Sequence, residues 1–209
     1  MAQPVIEGGV GTRSFSADEG ARLTSPSIRV REPLLSEILT RVHRAKNKAD
    51  MIKILREENC EPLQQILQWA YNPTIESALP PGQPPYVEND APEGTEHMLL
   101  RTEAKGLWHF VKILVSEEKD EKGKIKKTYR PADPKIQRTV MERMFIRLLE
   151  GLHKNEANLL CDVKDKKLVY KETKDKKGKV IETSGIKGLS IPILKEAFNW
   201  DDDFKKKDV

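Results

Sequence analysis

The residues from Asn72 to Gly94 read NPTIESALPPGQPPYVENDAPEG, and this run limits the possible folds more than any other. A proline ring holds φ near about −65° and removes a backbone donor, so neither a regular helix nor a central strand passes through it. The chain must cross here as an ordered, extended segment, and the elements on either side are built separately. Tyr71 lies beside the run and Tyr86 within it, where their rings can pack on proline. A clamp around the core is the expected role, with a proline-rich docking ligand as the alternative.

Before this run the apolar residues recur at helical spacing. Pro33 suits a first turn, and Leu34, Leu35, Ile38, Leu39 and Val42 follow at intervals of three and four, giving a helix that ends near Asn47. Met51, Ile52, Ile54 and Leu55 form a second set, with Asp50 as its candidate cap and a close at Glu58 and Asn59. Pro62 then starts a third helix carrying Leu63, Ile66, Leu67, Ala70 and Tyr71. Three short helices in succession point to a bundle.

Past the run, Thr95 can cap a helix with Met98, Leu99 and Leu100, and the dense segment from Leu107 to Leu114 supplies core. The clearest helix is Ile136 to Leu152, started by Asp133 or Pro134, with Val140, Met144, Phe145, Leu148, Leu149 and Leu152 on one face. A short helix around Glu156 to Val163 follows. Near the end Ser190 is a candidate cap, Pro192 sits in the first turn, and Ile193, Leu194, Ala197 and Phe198 face inward.

Two lysine-rich interruptions resemble each other, KDEKGKIKKTY from Lys119 and KDKKGKVIETS from Lys174. Each places a charged, Gly-containing turn before a β-branched residue, which is a hairpin signal. In the second, Leu168, Val169 and Tyr170 are expected to pair back on Val180 and Ile181. We expect a mainly α fold: a compact helical bundle over residues 32–200 with a Pro-rich crossing loop and two small β-hairpin insertions, near 116–132 and 164–186. Residues 1–31 form a flexible arm by composition, and 201–209 a charged, solvated tail.

With 37 Lys and Arg against 33 Asp and Glu, the net charge of +4 is too small to identify a nucleic-acid protein by itself. No apolar run approaches the length a membrane helix needs, and the opening MAQPVIEGGVGTRSF lacks the layout of a signal peptide. No membrane partner is expected. Two widely separated cysteines, Cys60 and Cys161, suit reduced structural positions in a cytosolic protein.

Local signatures of catalysis are missing from the sequence: there is no phosphate-binding Gly loop, HExxH, CxxC or GxSxG. Its four histidines, His43, His97, His109 and His153, are far apart, so we expect no metal, no cofactor and no enzyme. Asp201, Asp202 and Asp203 lack Ca²⁺-loop spacing.

Phosphate binding has a better basis. Lys119, Lys122, Lys124, Lys126, Lys127 and Arg130 form one basic set, and Lys164, Lys166, Lys167, Lys171, Lys174, Lys176, Lys177 and Lys179 another. If both hairpins emerge on one side they can track a phosphate backbone. Arg41, Arg44, Lys46, Lys48 and Lys53 make a third basic face. Interspersed acids dilute all of them, and solubilising surface is the plain alternative. The candidate contacts for DNA, RNA or a protein partner are Lys122, Lys124, Lys126, Lys127, Arg130, Lys166, Lys167, Lys174, Lys176, Lys177, Lys179 and the aromatics Tyr86 and Trp200.

The segments AYNPTIESALPPGQPPY, LWHFVK, RTVMERMFIRLLEGLHKNEANLL and KGLSIPILKEAF resemble an uncharacterised protein family of tailed phages, the T-even-like myoviruses, especially those of marine cyanobacteria. The resemblance spans roughly Ala45 to Trp200 and brings no catalytic residues. It implies a viral origin and action in the host cytoplasm or the virion. The expected function is a non-enzymatic phage accessory protein that binds a phage or host protein, or DNA or RNA, during intracellular development. A virion component of shell, neck or tail, whose N-terminal arm binds neighbouring subunits, is the alternative. A small metal-dependent nuclease is the least favoured.

Overall fold

The computed structural model describes residues 32–90, 92, 94, 96–119, 125–174 and 180–207. The chain divides into Met1–Glu32 and Pro33–Val209, and the fold is that of the second unit; the N-terminal arm lies outside the described residues.

The first three helices follow the apolar spacing. Helix α1 (Leu35–Arg44) buries Leu35, Ile38, Leu39 and Val42. Its start is tied by the Glu37 carboxylate, which accepts the Leu34 N–H at 2.7 Å. Helix α2 (Lys48–Glu57) is capped by Asn47, whose side chain accepts the Asp50 N–H at 2.8 Å. Asp50 is therefore not the cap but the residue the cap holds. Helix α3 (Glu61–Tyr71) carries Pro62 in its first turn and buries Leu63, Ile66, Leu67, Trp69, Ala70 and Tyr71.

The expected helical bundle is incorrect. Among the described residues the fold is mixed, 47% helical in seven helices with 16% strand in two antiparallel sheets. After a short α4 (Leu100–Glu103), a 3-10 helix (Ala104–Phe110) leads directly into a strand. Strand β1 (Ile75–Ser77) forms within the proline-rich crossing and pairs with β2 (Val111–Lys119), which pairs in turn with β3 (Ile125–Pro131). The physical reason is the alternation Val111, Ile113, Val115, β-branched residues at a period of two inside what reads as a continuous apolar run. Val111 lies in the core, while Ile113 and Val115 are exposed. The register sets Ile75 against Ile113 and Ile113 against Arg130, with an irregularity between Leu114 and Ser116.

Helix α5 (Arg138–Gly151) begins after Gln137 and not at Asp133 or Pro134. The Asp133 carboxylate instead accepts the Lys135 N–H at 3.0 Å and lies 2.9 Å from His109 Nδ1. Val140, assigned to the inward face, is 45% exposed. Helix α6 (Lys154–Lys164) follows, capped by His153. The second hairpin pairs β4 (Lys171–Lys174) with β5 (Val180–Ser184), setting Lys171 opposite Ser184. The expected partners Leu168, Val169 and Tyr170 lie before the strand. Leu168 is buried, and its carbonyl accepts Tyr71 OH at 2.9 Å and the Ile186 N–H at 3.0 Å. Helix α7 (Ile191–Phe198) turns Ile193, Leu194, Ala197 and Phe198 inward as expected, although Ser190 makes no side-chain capping bond.

The proline-rich segment is held as a clamp. Lys164, 3% exposed, donates from Nζ to the Pro80 carbonyl at 2.8 Å and pairs with Asp165, whose other oxygen accepts the Gly82 N–H at 3.1 Å. Tyr86 OH donates to Asn158 at 3.1 Å.

The C-terminal residues fold back, contrary to the solvated tail expected from their charge. Asp201 accepts the N–H groups of Asp203 and Lys205 at 2.9 and 2.8 Å, which turns the chain and buries Phe204. Trp200 and Lys206 form a β-bridge.

Candidate binding groove

Helices α1 and α6 each present a polar stripe on the side away from their buried residues. On α1 the stripe holds Ser36, Thr40, Arg41, His43 and Arg44; on α6 it holds Asn155, Asn158 and Asp162. The spacing of three and four residues puts each set on one helical face. The two stripes border a groove of about 780 Å³ with an apolar floor of Leu39, Leu159, Leu168 and Ile186, and with Lys167 on its rim. Gly185 closes it where β5 ends. Its φ is +82°, and a Cβ there would meet Leu168 and Val169 backbone atoms at 2.6 Å, so only glycine brings the hairpin this close.

Arg41, Arg44 and Lys167 line the groove together with two acids, Glu37 and Asp162. Arg41 is paired with Glu58 at 2.6 Å, Lys167 is 3.9 Å from Asp165, and Arg44 makes no ion pair among the described residues. Of its two acids, Glu37 is engaged at the Leu34 N–H. The Asp162 carboxyl is pushed above its usual range, chiefly by burial, while the Lys167 ammonium pulls it down and Asp165 pushes it up. The Ser36 hydroxyl is buried with no partner among the described residues. Arg41, Arg44, Lys46 and Lys53 also border an adjoining depression between α1 and α2, beside Asp50 and Glu57. Positive charge thus runs from Lys167 across α1 to α2. Such an arrangement can hold successive phosphates, with the amide side chains of Asn155 and Asn158 on the facing wall.

Of the residues named from the sequence, Lys167 and, from the third basic face, Arg41, Arg44, Lys46 and Lys53 contribute here, while Lys48 pairs with Glu196 at 2.8 Å. Lys166 is engaged elsewhere: Nζ donates to the Asn72 carbonyl at 2.7 Å. Burial lowers its pKa, Glu76 raises it and the nearby Lys127 lowers it. Lys164 is buried under the proline-rich segment. Lys127 pairs with Glu117 at 2.8 Å, Lys126 stands opposite Glu118, and Arg130 is exposed opposite Ile113. Lys174 takes part in the β4–β5 pairing opposite Val180. Lys122, Lys124, Lys176, Lys177 and Lys179 lie outside the described residues. Tyr86 is half-buried on the clamp. Trp200 is not an exposed contact: it is 2% exposed and packs against Phe198 and Phe204, with ring centroids 4.8 and 5.7 Å away. The residues missed were Ser36, Thr40, Asn155, Asn158 and Asp162, small polar side chains whose common groove exists only once α1 and α6 are side by side.

Among the described residues, no three His, Cys, Asp or Glu side chains gather as a metal site, and no helix is long and apolar enough to cross a membrane.

Comparison with known proteins bears on one wall of this groove. Residues 38–121 match a family of unknown function (DUF6433). The match spans less than half the chain; it takes in α1 from Ile38 and ends before α6. No curated protein and no solved structure matches the chain.

Proposed function

We propose that this protein is a non-catalytic accessory factor that binds nucleic acid along the groove between α1 and α6, holding the phosphate backbone without reading bases. The observation that carries this reading is the groove itself, lined by Arg41, Arg44 and Lys167. Aromatic stacking platforms, which give single-strand binders much of their affinity, do not line the groove; His43 is its one aromatic ring among the described residues. Electrostatic contact with phosphates is then the main attraction, and salt should weaken it steeply. The setting we propose is phage development inside a bacterial host, on the strength of the resemblance carried by segments such as AYNPTIESALPPGQPPY and KGLSIPILKEAF.

Titration of fluorescently labelled single- and double-stranded DNA and RNA of mixed sequence with the full chain tests the reading. Binding that falls steeply with salt and varies little with base sequence is expected. Absence of binding at low salt, or affinity insensitive to salt, contradicts it.

A further inference from the structure

A second concavity, of about 220 Å³, lies between the 3-10 helix and α5. A 3-10 helix turns once in three residues, so side chains three apart stand in one line. Glu103, Gly106 and His109 form such a line, and all three border the concavity. A Cβ added at Gly106 would meet nothing within 4 Å, so the middle of the line is open space. Glu103 and His109 stand on either side of it, their backbones roughly 12 Å apart at the 3-10 rise of about 2.0 Å per residue. The facing wall comes from α5, where Met144, Arg147 and Leu148 share a face at helical spacing.

Three polar groups on this cleft have no partner among the described residues. The first is set by Asp133, which accepts the Lys135 N–H at 3.0 Å through one oxygen and lies 2.9 Å from His109 Nδ1 through the other. An ionised carboxylate can only accept, so Nδ1 carries the proton and Nε2 of the neutral ring is an acceptor. Asp133 does not border the cleft, and Nε2 lies on the ring edge turned away from it. Nε2 makes no hydrogen bond; nor do the Glu103 carboxylate and the Arg147 guanidinium, which are not paired with each other either. None of the three ends is sealed from solvent. An anion and a cation left unpaired on one small cleft complement a ligand that carries both signs of charge.

We propose that this cleft binds a free α-amino acid with an apolar side chain. Its ammonium group sits over Gly106 and donates to the Glu103 carboxylate and to His109 Nε2. Its carboxylate meets Arg147. Its side chain lies against Phe110, Leu148 and the methionines Met98 and Met144, whose unbranched thioethers adjust to its shape. The space is smaller than the roughly 300–1,000 Å³ of pockets for drug-sized ligands, which suits a molecule of this size. The site shares no residue with the α1–α6 groove, so either can fail without the other.

The full chain, with isotope-labelled histidine, is titrated with L-leucine at millimolar concentration while the imidazole resonances are followed. Those of His109 should shift and saturate, with those of His43, on the other groove, unmoved. L-Leucinamide lacks the carboxylate and 4-methylpentanoate lacks the ammonium group; each should bind about tenfold more weakly than leucine, or worse. Arg147→Gln should erase the difference between leucine and its amide, and Glu103→Gln should shrink that between leucine and 4-methylpentanoate. Gly106→Leu fills the open space and should abolish binding. His109 resonances that do not move overturn the proposal. So does leucine binding at wild-type strength in Gly106→Leu. Equal binding of the amide by the wild-type chain, a comparison that needs no variant to fold, also overturns it and points instead to the N-terminus of a peptide.

Discussion

The Glu156 carboxylate accepts the backbone N–H of Leu35 at 3.0 Å, across 121 positions of sequence. Its second oxygen accepts the Leu100 N–H at 3.1 Å. Leu35 and Leu100 are the first residues of α1 and α4, so one buried side chain on α6 holds two helix N-termini and with them one wall of the groove. First-turn N–H groups have no partner within their own helix, and a carboxylate there also meets the positive end of the helix dipole.

Replacing Glu156 by Ala should therefore cost about 2–4 kcal/mol, from two charge-assisted bonds lost inside the fold, read as a lowered midpoint in urea unfolding. The pH dependence has a definite sign. Burial raises the Glu156 pKa above the ordinary 4.5, with the two backbone N–H groups opposing that rise. A raised folded pKa means that the native state binds this proton more tightly than the unfolded chain. The stabilisation from protonation is complete below 4.5 and is lost as pH climbs through the raised value. The stability of the wild type relative to Glu156→Gln should thus grow as pH falls through that window; growth toward neutral pH would contradict the assignment.

The aromatics proposed from the sequence as surface contacts separate into two kinds. Trp200→Ala should destabilise the chain by about 3–5 kcal/mol, as for a large side chain removed from a packed core. Tyr86→Phe deletes one exposed hydrogen bond to Asn158 and should cost about 1 kcal/mol or less. Thermal unfolding of the two variants beside the wild type checks the ordering.

Asp162 opposes the function proposed for the groove that it borders. Asp162→Asn removes a negative charge near the track of Arg44 and Lys167, and should tighten nucleic-acid binding about two- to fivefold at neutral pH. For the wild type the same gain should appear on acidification, because its carboxyl protonates above the usual range; in the Asn variant that part of the pH dependence should vanish. Equilibrium titrations at several pH values decide it.

The helices of this fold were legible where local chemistry is self-sufficient. Pro62 followed by Leu63, Ile66 and Leu67, and Pro192 followed by Ile193 and Leu194, each combine a start signal with an apolar stripe. Strand β2 was hidden because Phe110, Val111, Ile113, Leu114 and Val115 form a nearly unbroken apolar run, and β1 because its partner lies more than 30 residues away across the prolines. Asp201 to Lys207 read as solvated because charge masks Phe204, whose burial depends on the turn that the Asp201 carboxylate makes. Lysine content alone does not tell which ammonium groups the fold itself engages. Lys164 and Lys166 spend their ammonium groups on the Pro80 and Asn72 carbonyls, while the groove draws on Arg41 and Arg44, far in sequence from either hairpin. Tertiary pairing of α1 with α6 creates that site, and no local spacing encodes it.

The central claim is that phosphates are held between α1 and α6, and the salt dependence of binding to labelled single-stranded DNA tests it most directly. The comparison is between the wild type, the groove variant Arg44→Ser with Lys167→Ser, and a hairpin variant with Lys126→Ser and Lys127→Ser. Each lost contact should lower the slope of log K against log salt by about 0.7, so the groove variant should lose about 1.4 and the hairpin variant much less. An unchanged slope in the groove variant, with the loss falling on the hairpin variant instead, would contradict the account.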